Sequence, residues 1–213
     1  MINKSISNKD AFKISDESTG TSYFGCKQDW YSTEWQRISG CGPTTAANII
    51  NYLIHLKAIQ KCNKAVNSKE RCQYLMDETW KYVTPTDEGI KTAELFYQSF
   101  ISYASSKGIA VEGEFINVPS ANPVSCSLSE ILSFIERALN KDVPVAFLNL
   151  SNGDEKSLEE WHWVTIISLQ YDKDSAYVQI VDEGMIKKID LSLWHKTTTL
   201  GGGLAYFYLN DNY

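Results

Sequence analysis

The stretch Gln36-Arg37-Ile38-Ser39-Gly40-Cys41-Gly42-Pro43-Thr44-Thr45-Ala46-Ala47-Asn48-Ile49-Ile50-Asn51-Tyr52-Leu53-Ile54-His55-Leu56-Lys57 decides how the rest of the chain is read. Glycines flank Cys41, Pro43 follows, and Ala46, Ile49, Ile50, Leu53 and Lys57 then keep the three-and-four spacing of an amphipathic helix. Proline fits a first helical turn, where its missing N–H has no partner to lose. The spacing therefore predicts a helix that begins at Cys41 and ends near residues 57–60. Free N–H groups and the positive dipole end at such a position favour a thiolate over a thiol. Gly40 and Gly42 would let a substrate backbone approach the sulfur. A buried packing cysteine is the competing explanation, but Gly-Cys-Gly-Pro is a poor way to fill a core.

Outward from this stretch, composition narrows the classes. The 213 residues carry a net charge of −6, from 26 acidic and 20 basic residues that are interspersed along the chain. No basic footprint for nucleic acid results, so no nucleic-acid partner is expected. Aromatics make up 12%, with six tryptophans, which argues for a packed globule over a disordered chain. Cys26, Cys41, Cys62, Cys72 and Cys126 are widely spaced without any C-x-x-C, and His55, His162 and His195 do not cluster. Neither a disulfide framework nor a metal site is indicated, and no cofactor is expected. The first 25 residues contain no apolar run fit for a signal peptide, and no segment has the length of a membrane span. The expectation is a cytoplasmic protein with no membrane partner; oligomeric state has no signature in the sequence.

The expected organisation is one α+β domain over residues 1–213. Residues 1–20 are polar and patternless and read as a loosely held arm. Residues 21–108 read as a helical lobe, with an extended lead-in from Tyr23 to Trp35. A helix capped by Asn67 or Ser68 carries Cys72, Leu75, Met76, Thr79 and Val83, and a turn at residues 84–89 opens another that Gly108 closes. Residues 109–213 read as a mainly β lobe: a strand over 109–118, a helix capped by Ser129, an apolar strand over 143–150, strands over 161–171 and 176–182, and a last pair over 185–193 and 203–209. Gly201–Gly203 reads as a flexible turn between that last pair.

A thiolate nucleophile needs a base, and the base needs a group that fixes its tautomer. His162 begins the run Trp161-His162-Trp163-Val164-Thr165-Ile166-Ile167 directly after a polar loop, which places it at the mouth of a strand. His55 lies several turns into the helix of Cys41, and His195 beside Trp194 is the weaker rival. Asp182, at the end of the next strand, is the candidate orienter, with Glu183 as a rival on the opposite face. Because 162 and 182 are both even, the two residues share a sheet face only with an odd-length hairpin loop, which Asp172-Lys173-Asp174 can supply, or with a bulge. Gln36 and the backbone N–H of Cys41 are the candidate oxyanion donors.

A glutamine shortly before Cys-Gly-Pro, the step Lys141-Asp142-Val143-Pro144-Val145, the strand His162-Trp163-Val164-Thr165-Ile166-Ile167 and the strand end Val181-Asp182-Glu183-Gly184 resemble the papain-like cysteine peptidases. The similarity is closest to the bacteriocin-processing (double-glycine leader) peptidase domains and their stand-alone relatives, and covers residues 36–213. It implies a two-lobed fold with the helical lobe packed on an antiparallel sheet, Cys41 as nucleophile, His162 as base, Asp182 as orienter and Gln36 in the oxyanion hole. In the family the glutamine stands six before the cysteine, a place held here by Trp35. The implied activity is cleavage of a peptide or small amide through an acyl-enzyme. The same triad suits acyl transfer to an amine or thiol, and the same scaffold a non-catalytic binding protein. The acidic loop 152–156 and Trp161 and Trp163 read by default as solvated loop and core aromatics; as cleft residues they would point to a basic or aromatic peptide.

Overall fold

A computed structural model describes residues 1–60, 67–119 and 126–210; Cys62 lies outside them. Strands β1 (Ile2–Ser5), β2 (Lys13–Asp16) and β3 (Thr21–Phe24) precede helices α1 (Glu34–Ser39), α2 (Cys41–Gln60), α3 (Lys69–Trp80) and α4 (Ala93–Ser106). Then follow β4 (Val111–Val118), α5 (Leu128–Asn140), β5 (Val145–Asn149), β6 (His162–Tyr171), β7 (Ala176–Asp182), β8 (Met185–Asp190), α6 (Leu191–Thr197) and β9 (Gly202–Leu209). A seven-stranded sheet runs in the order β4-β9-β5-β6-β7-β8, with β1 also paired to β6. Its neighbours are antiparallel throughout the described residues, so the fold is α+β. No described helix is long and apolar enough to cross a membrane.

Helix α2 is the centre of the packing. Every residue from Gly42 to Leu53 is buried, so the helix is enclosed all round over these turns instead of showing the amphipathic face its spacing predicts. Helix α3, strands β5, β6 and β9 and the short 3-10 helix Lys9–Phe12 surround it. Two of the polar side chains this encloses are partnered: Asn48 Oδ1 accepts from the Cys26 N–H at 2.7 Å, and the Tyr52 hydroxyl donates to Asp142 at 3.0 Å, whereas Thr44 Oγ1 is buried without a partner.

Several expectations change. Residues 1–20 are not a loose arm: β1 lies along β6 with Ile2 opposite Tyr171, β2 and β3 form a hairpin, and Ile6, Phe12 and Ile14 are buried. Burial of those apolar side chains in the core, with Phe12 stacked on Tyr52 of α2, outweighs the polar composition around them. The lead-in to Cys41 contains a 3-10 turn, Gln28–Trp30, and helix α1, capped by Thr33. Ser127, not Ser129, caps α5. The strand expected over 185–193 stops at Asp190, whose side chain caps α6 by accepting from the Leu193 N–H at 2.9 Å. Gly202 and Gly203 belong to β9, where a Cβ would stand 2.0 Å from the Leu148 carbonyl oxygen and 2.7 Å from Ala93 Cβ. Close backbone approach, not flexibility, demands these glycines.

The β6–β7 hairpin decides what shares a face. Its connection is the even, four-residue segment Asp172–Ser175, pinned by Asp172 accepting from the N–H groups of Asp174 and Ser175, so Tyr171 pairs with Ala176. That register alone would put His162 and Asp182 on opposite faces. A bulge at Ile167 corrects it, since Ser168 pairs with Gln179 but Ile166 with Ile180. The bulge, and not the Asp172-Lys173-Asp174 loop, brings the two even-numbered residues together. The carbonyl of Ile167 accepts from the Ile6 N–H at 3.1 Å, at the point where β6 exchanges β5 for β1 as its neighbour.

Candidate active site

Cys41 is the first residue of α2, and Gly40 ends α1 immediately before it. The glycines around it serve packing. A Cβ on Gly40 would lie 2.3 Å from the Gln36 carbonyl oxygen and 2.6 Å from the Tyr31 ring, and one on Gly42 would lie 2.8 Å from Ile90 Cδ1. This crowding is by itself enough to favour glycine at both positions. The sulfur remains partly exposed and lies 4.0 Å from the Trp161 carbonyl oxygen. Trp161 has a left-handed backbone, φ +53°, uncommon for a large residue and found here directly before His162.

His162 opens β6, opposite Asn149 of β5. Its Nε2 is 2.7 Å from Asp182 Oδ1, while Asp182 Oδ2 accepts from Lys187 Nζ at 2.6 Å. Burial pulls the imidazole toward its neutral form, but the hydrogen bond to Asp182 and the neighbouring Cys41 side chain outweigh it and push the pKa up to about 10. Burial also opposes the Asp182 charge, yet His162 and Lys187 hold that carboxyl below the ordinary carboxylate range. With Nε2 committed to Asp182, Nδ1 is the nitrogen left for the sulfur. The turn after Asp182 is a two-residue loop in which Glu183 (φ +48°) and Gly184 (φ +74°) both adopt positive φ, and Asp182 pairs with Met185 across it.

The other expected and rival residues lie elsewhere. Gln36 Oε1 accepts from the Thr33 hydroxyl at 2.9 Å and from the Thr33 N–H at 3.4 Å, completing a capping box at the start of α1. It lines neither groove beside Cys41. The glutamine the cleft does present is Gln28, which the sequence reading missed. Only 8% exposed, it donates from Nε2 to the Arg37 carbonyl at 2.7 Å, and its Oε1 is buried without a partner. Gln28 carries no motif of its own; the available signal was Thr33-x-x-Gln36, which marks Gln36 as a cap. His55 meets Asn8, and His195 meets the Cys126 carbonyl. Trp163 is core, stacked on Phe96 and donating to the Ile90 carbonyl at 2.7 Å. In the loop 152–156, Glu155 is buried and accepts from the Asp190 N–H. Among the described residues no group of His, Cys, Asp and Glu could hold a metal ion.

Two grooves meet at Cys41. One, of about 540 Å³, is walled by Trp35, Ile38, Trp161, Lys91 and the 86–89 turn. The other, of about 500 Å³, is walled by His162, Gln28, Arg37 and the acids Asp29, Glu159, Glu160 and Glu183.

No family model matches the sequence, and no curated protein matches it. Among solved structures, the crystal structure of UfSP from C. elegans is similar over 98% of this chain and 34% of its own length, at 10% identity and a TM-score of 0.49.

Proposed function

We propose that this chain is a cysteine peptidase of papain-like type, hydrolysing a peptide or amide bond through Cys41, His162 and Asp182. One arrangement carries the reading: a partly exposed cysteine at the start of a buried helix interacts with an imidazole whose far nitrogen is 2.7 Å from a buried carboxylate. The finer placing, beside the stand-alone double-glycine leader peptidases, rests on the Cys-Gly-Pro, His-Trp-Val-Thr and Val-Asp-x-Gly motifs.

In the proposed reaction the Cys41 sulfur bonds to the carbonyl carbon, and the carbonyl electron pair moves to oxygen. Donors for that oxyanion come from the N–H groups of Cys41 and Gly42 at the start of α2, since Pro43 has none and the Thr44 N–H is bonded to the Gly40 carbonyl at 2.9 Å. Gln28 is the side-chain amide on the same wall. Collapse breaks the C–N bond, and the imidazolium gives its proton to the departing amine. Water then passes a proton to the imidazole as its oxygen bonds to the acyl carbon. The C–S bond breaks, and the thiolate–imidazolium pair returns. Asp182 keeps the ring in the tautomer this needs, and Lys187 keeps Asp182 ionised.

Treating a proteome-derived peptide library with this protein and with its Cys41→Ala variant, and reading new termini by mass spectrometry, tests the proposal. Cleavages are expected with the first and not the second. Identical termini in both samples, or none in either, would overturn it.

A further inference from the structure

The two grooves differ in chemistry, and His162 fixes which end of a substrate enters each. The leaving nitrogen must sit where the imidazolium can protonate it, and His162 lines the acidic groove only. The departing amine and the residues after it therefore run through that groove, and the acyl portion runs through the apolar one.

The acidic groove has more negative charge than its own cations neutralise. Asp29 is paired with Lys27 at 2.6 Å, and Arg37 directs Nη1 to the carbonyls of Tyr31 and Ser32. The carboxylates of Glu159, Glu160 and Glu183 have no hydrogen-bond or ion-pair partner among the described residues, although the Glu159 backbone carbonyl accepts from Asn149 Nδ2 at 2.6 Å. Burial, and after it Asp182 and Asp29, push the Glu183 carboxyl above its usual range against the smaller opposing pull of His162 and Lys27, so a further cation placed there would favour its charged form. A second observation is independent of charge. Gln28 is more than nine-tenths buried on this wall, its Nε2 is anchored on Arg37, and its Oε1 is left as an acceptor with no donor. A buried acceptor without a donor is costly, and an ammonium or guanidinium supplies what is missing. Around the other groove Trp35, Ile38 and Trp161 are 46%, 67% and 54% exposed, an unusual cluster of uncovered apolar surface opening on the reactive sulfur, in which Ile38 and Trp161 line both grooves and Trp35 lines this one only.

Resting on the hydrolase reading, we infer that the substrate is a peptide with lysine or arginine just after the cleaved bond and a large apolar side chain before it. The cation lies between Gln28 Oε1 and Glu183, with Glu159 and Glu160 at the rim, and the apolar side chain lies against Trp35, Ile38 and Trp161.

Binding tests this without requiring turnover. Fluorescein-labelled peptides that share a leucine-containing acyl portion and differ after the bond, with lysine, norleucine or glutamate, are titrated against Cys41→Ala protein and read by anisotropy. The lysine peptide is expected to bind about tenfold tighter than the norleucine peptide, the scale of one charge-assisted contact, and the glutamate peptide more weakly than either. Added salt should shrink the difference. Combining Glu159→Gln, Glu160→Gln and Glu183→Gln in the same protein should bring the lysine advantage below about threefold. Equal affinities, an advantage that survives the three substitutions, or no measurable binding of any peptide would overturn the inference. A lysine preference without Cys41-dependent cleavage in the library removes the hydrolase reading and keeps the cation site. Cleavage with no enrichment of lysine or arginine after the cut removes the cation site and keeps the hydrolase reading.

Discussion

The wall that carries Cys41 and the wall that carries His162 and Asp182 are positioned by different kinds of interaction. Cys41 is placed by its own neighbours: Gly40 and Gly42 admit the Tyr31 ring and Ile90 at distances a Cβ would forbid, and α2 starts between them. His162 and Asp182 are placed by register, through an even four-residue turn and one extra residue at Ile167 that returns both to the same face. A locally placed group tolerates changes elsewhere but fails when a neighbour grows. A group placed by register tolerates changes at its neighbours but depends on pairing far along the strand.

The strongest way to break the comparison is to remove the imidazole. His162→Ala leaves α2 and its glycines untouched, so Cys41 keeps its place and loses its base. Peptide hydrolysis should fall about a thousandfold or more, and alkylation of Cys41 by iodoacetamide at pH 6 should slow about a hundredfold. Unchanged alkylation would mean that the helix start alone activates the sulfur, and that the two walls do not cooperate.

Next in size is Asp182→Asn, which keeps the register and removes the charge. A loss of about a hundredfold or more in kcat is expected, because the ring loses its tautomer control. The pH dependence of stability has a definite sign. The folded His162 holds its proton up to about pH 10, against an unfolded value near 6.5. The stabilisation from its pairing is therefore fully present below about pH 6.5 and is lost as pH rises through about 10. Asp182, with its pKa lowered, adds stability above the ordinary carboxylate range that is lost as pH falls. Urea unfolding should show wild type ahead of Asp182→Asn by its widest margin near pH 6, with the gap closing toward pH 10. A gap that widens with rising pH would mean that the ring is neutral in the folded protein.

The local wall is tested by Gly40→Ala. The new Cβ meets backbone at 2.3 Å, which no side-chain rotation relieves, so unfolding free energy should drop by about 1–3 kcal/mol. Activity of the surviving folded protein should fall as well, because the start of α2 must shift. Gly42→Ala meets only the tip of Ile90 and should cost less.

The same distinction explains what was legible in the sequence. Cys41 at a helix start, Ser68 and Gly108 at helix ends, and the strands of His162 and Asp182 all rest on signals within a few residues of each other, and these appear where expected. What was misread depended on distant contacts. The N-terminal strand is held by β6, and its own composition gives no sign of that. Gly202 and Gly203 look like a flexible turn until the Leu148 carbonyl and Ala93 are known to press against them. The bulge at Ile167 has no marker in an apolar run. Parity required either a bulge or an odd loop, and the loop was the visible choice of the two. Gln28 enters the cleft only because the 3-10 turn and α1 fold it back against Arg37.

The smallest expected effect separates the two glutamines, and it decides which of them belongs to the cleft. Gln36 was the candidate from the motif, yet its side chain closes a capping box with Thr33, a short-range task that water can partly take over. Gln36→Ala should lower stability by about 0.5–1 kcal/mol, typical of a cap lost at an exposed helix end, and leave kcat/KM within about twofold of wild type. Gln28→Ala, by contrast, removes a buried amide from the wall shared with Cys41 and His162, and should cost about tenfold or more in kcat/KM. Parallel urea melts and peptide-cleavage assays on the two variants read both quantities. If Gln36→Ala loses the activity and Gln28→Ala does not, the cap gives way to the motif in the working enzyme, and α1 must rearrange when substrate binds. If the losses fall as expected, position in the fold and not spacing from the cysteine selects the glutamine that serves the reaction.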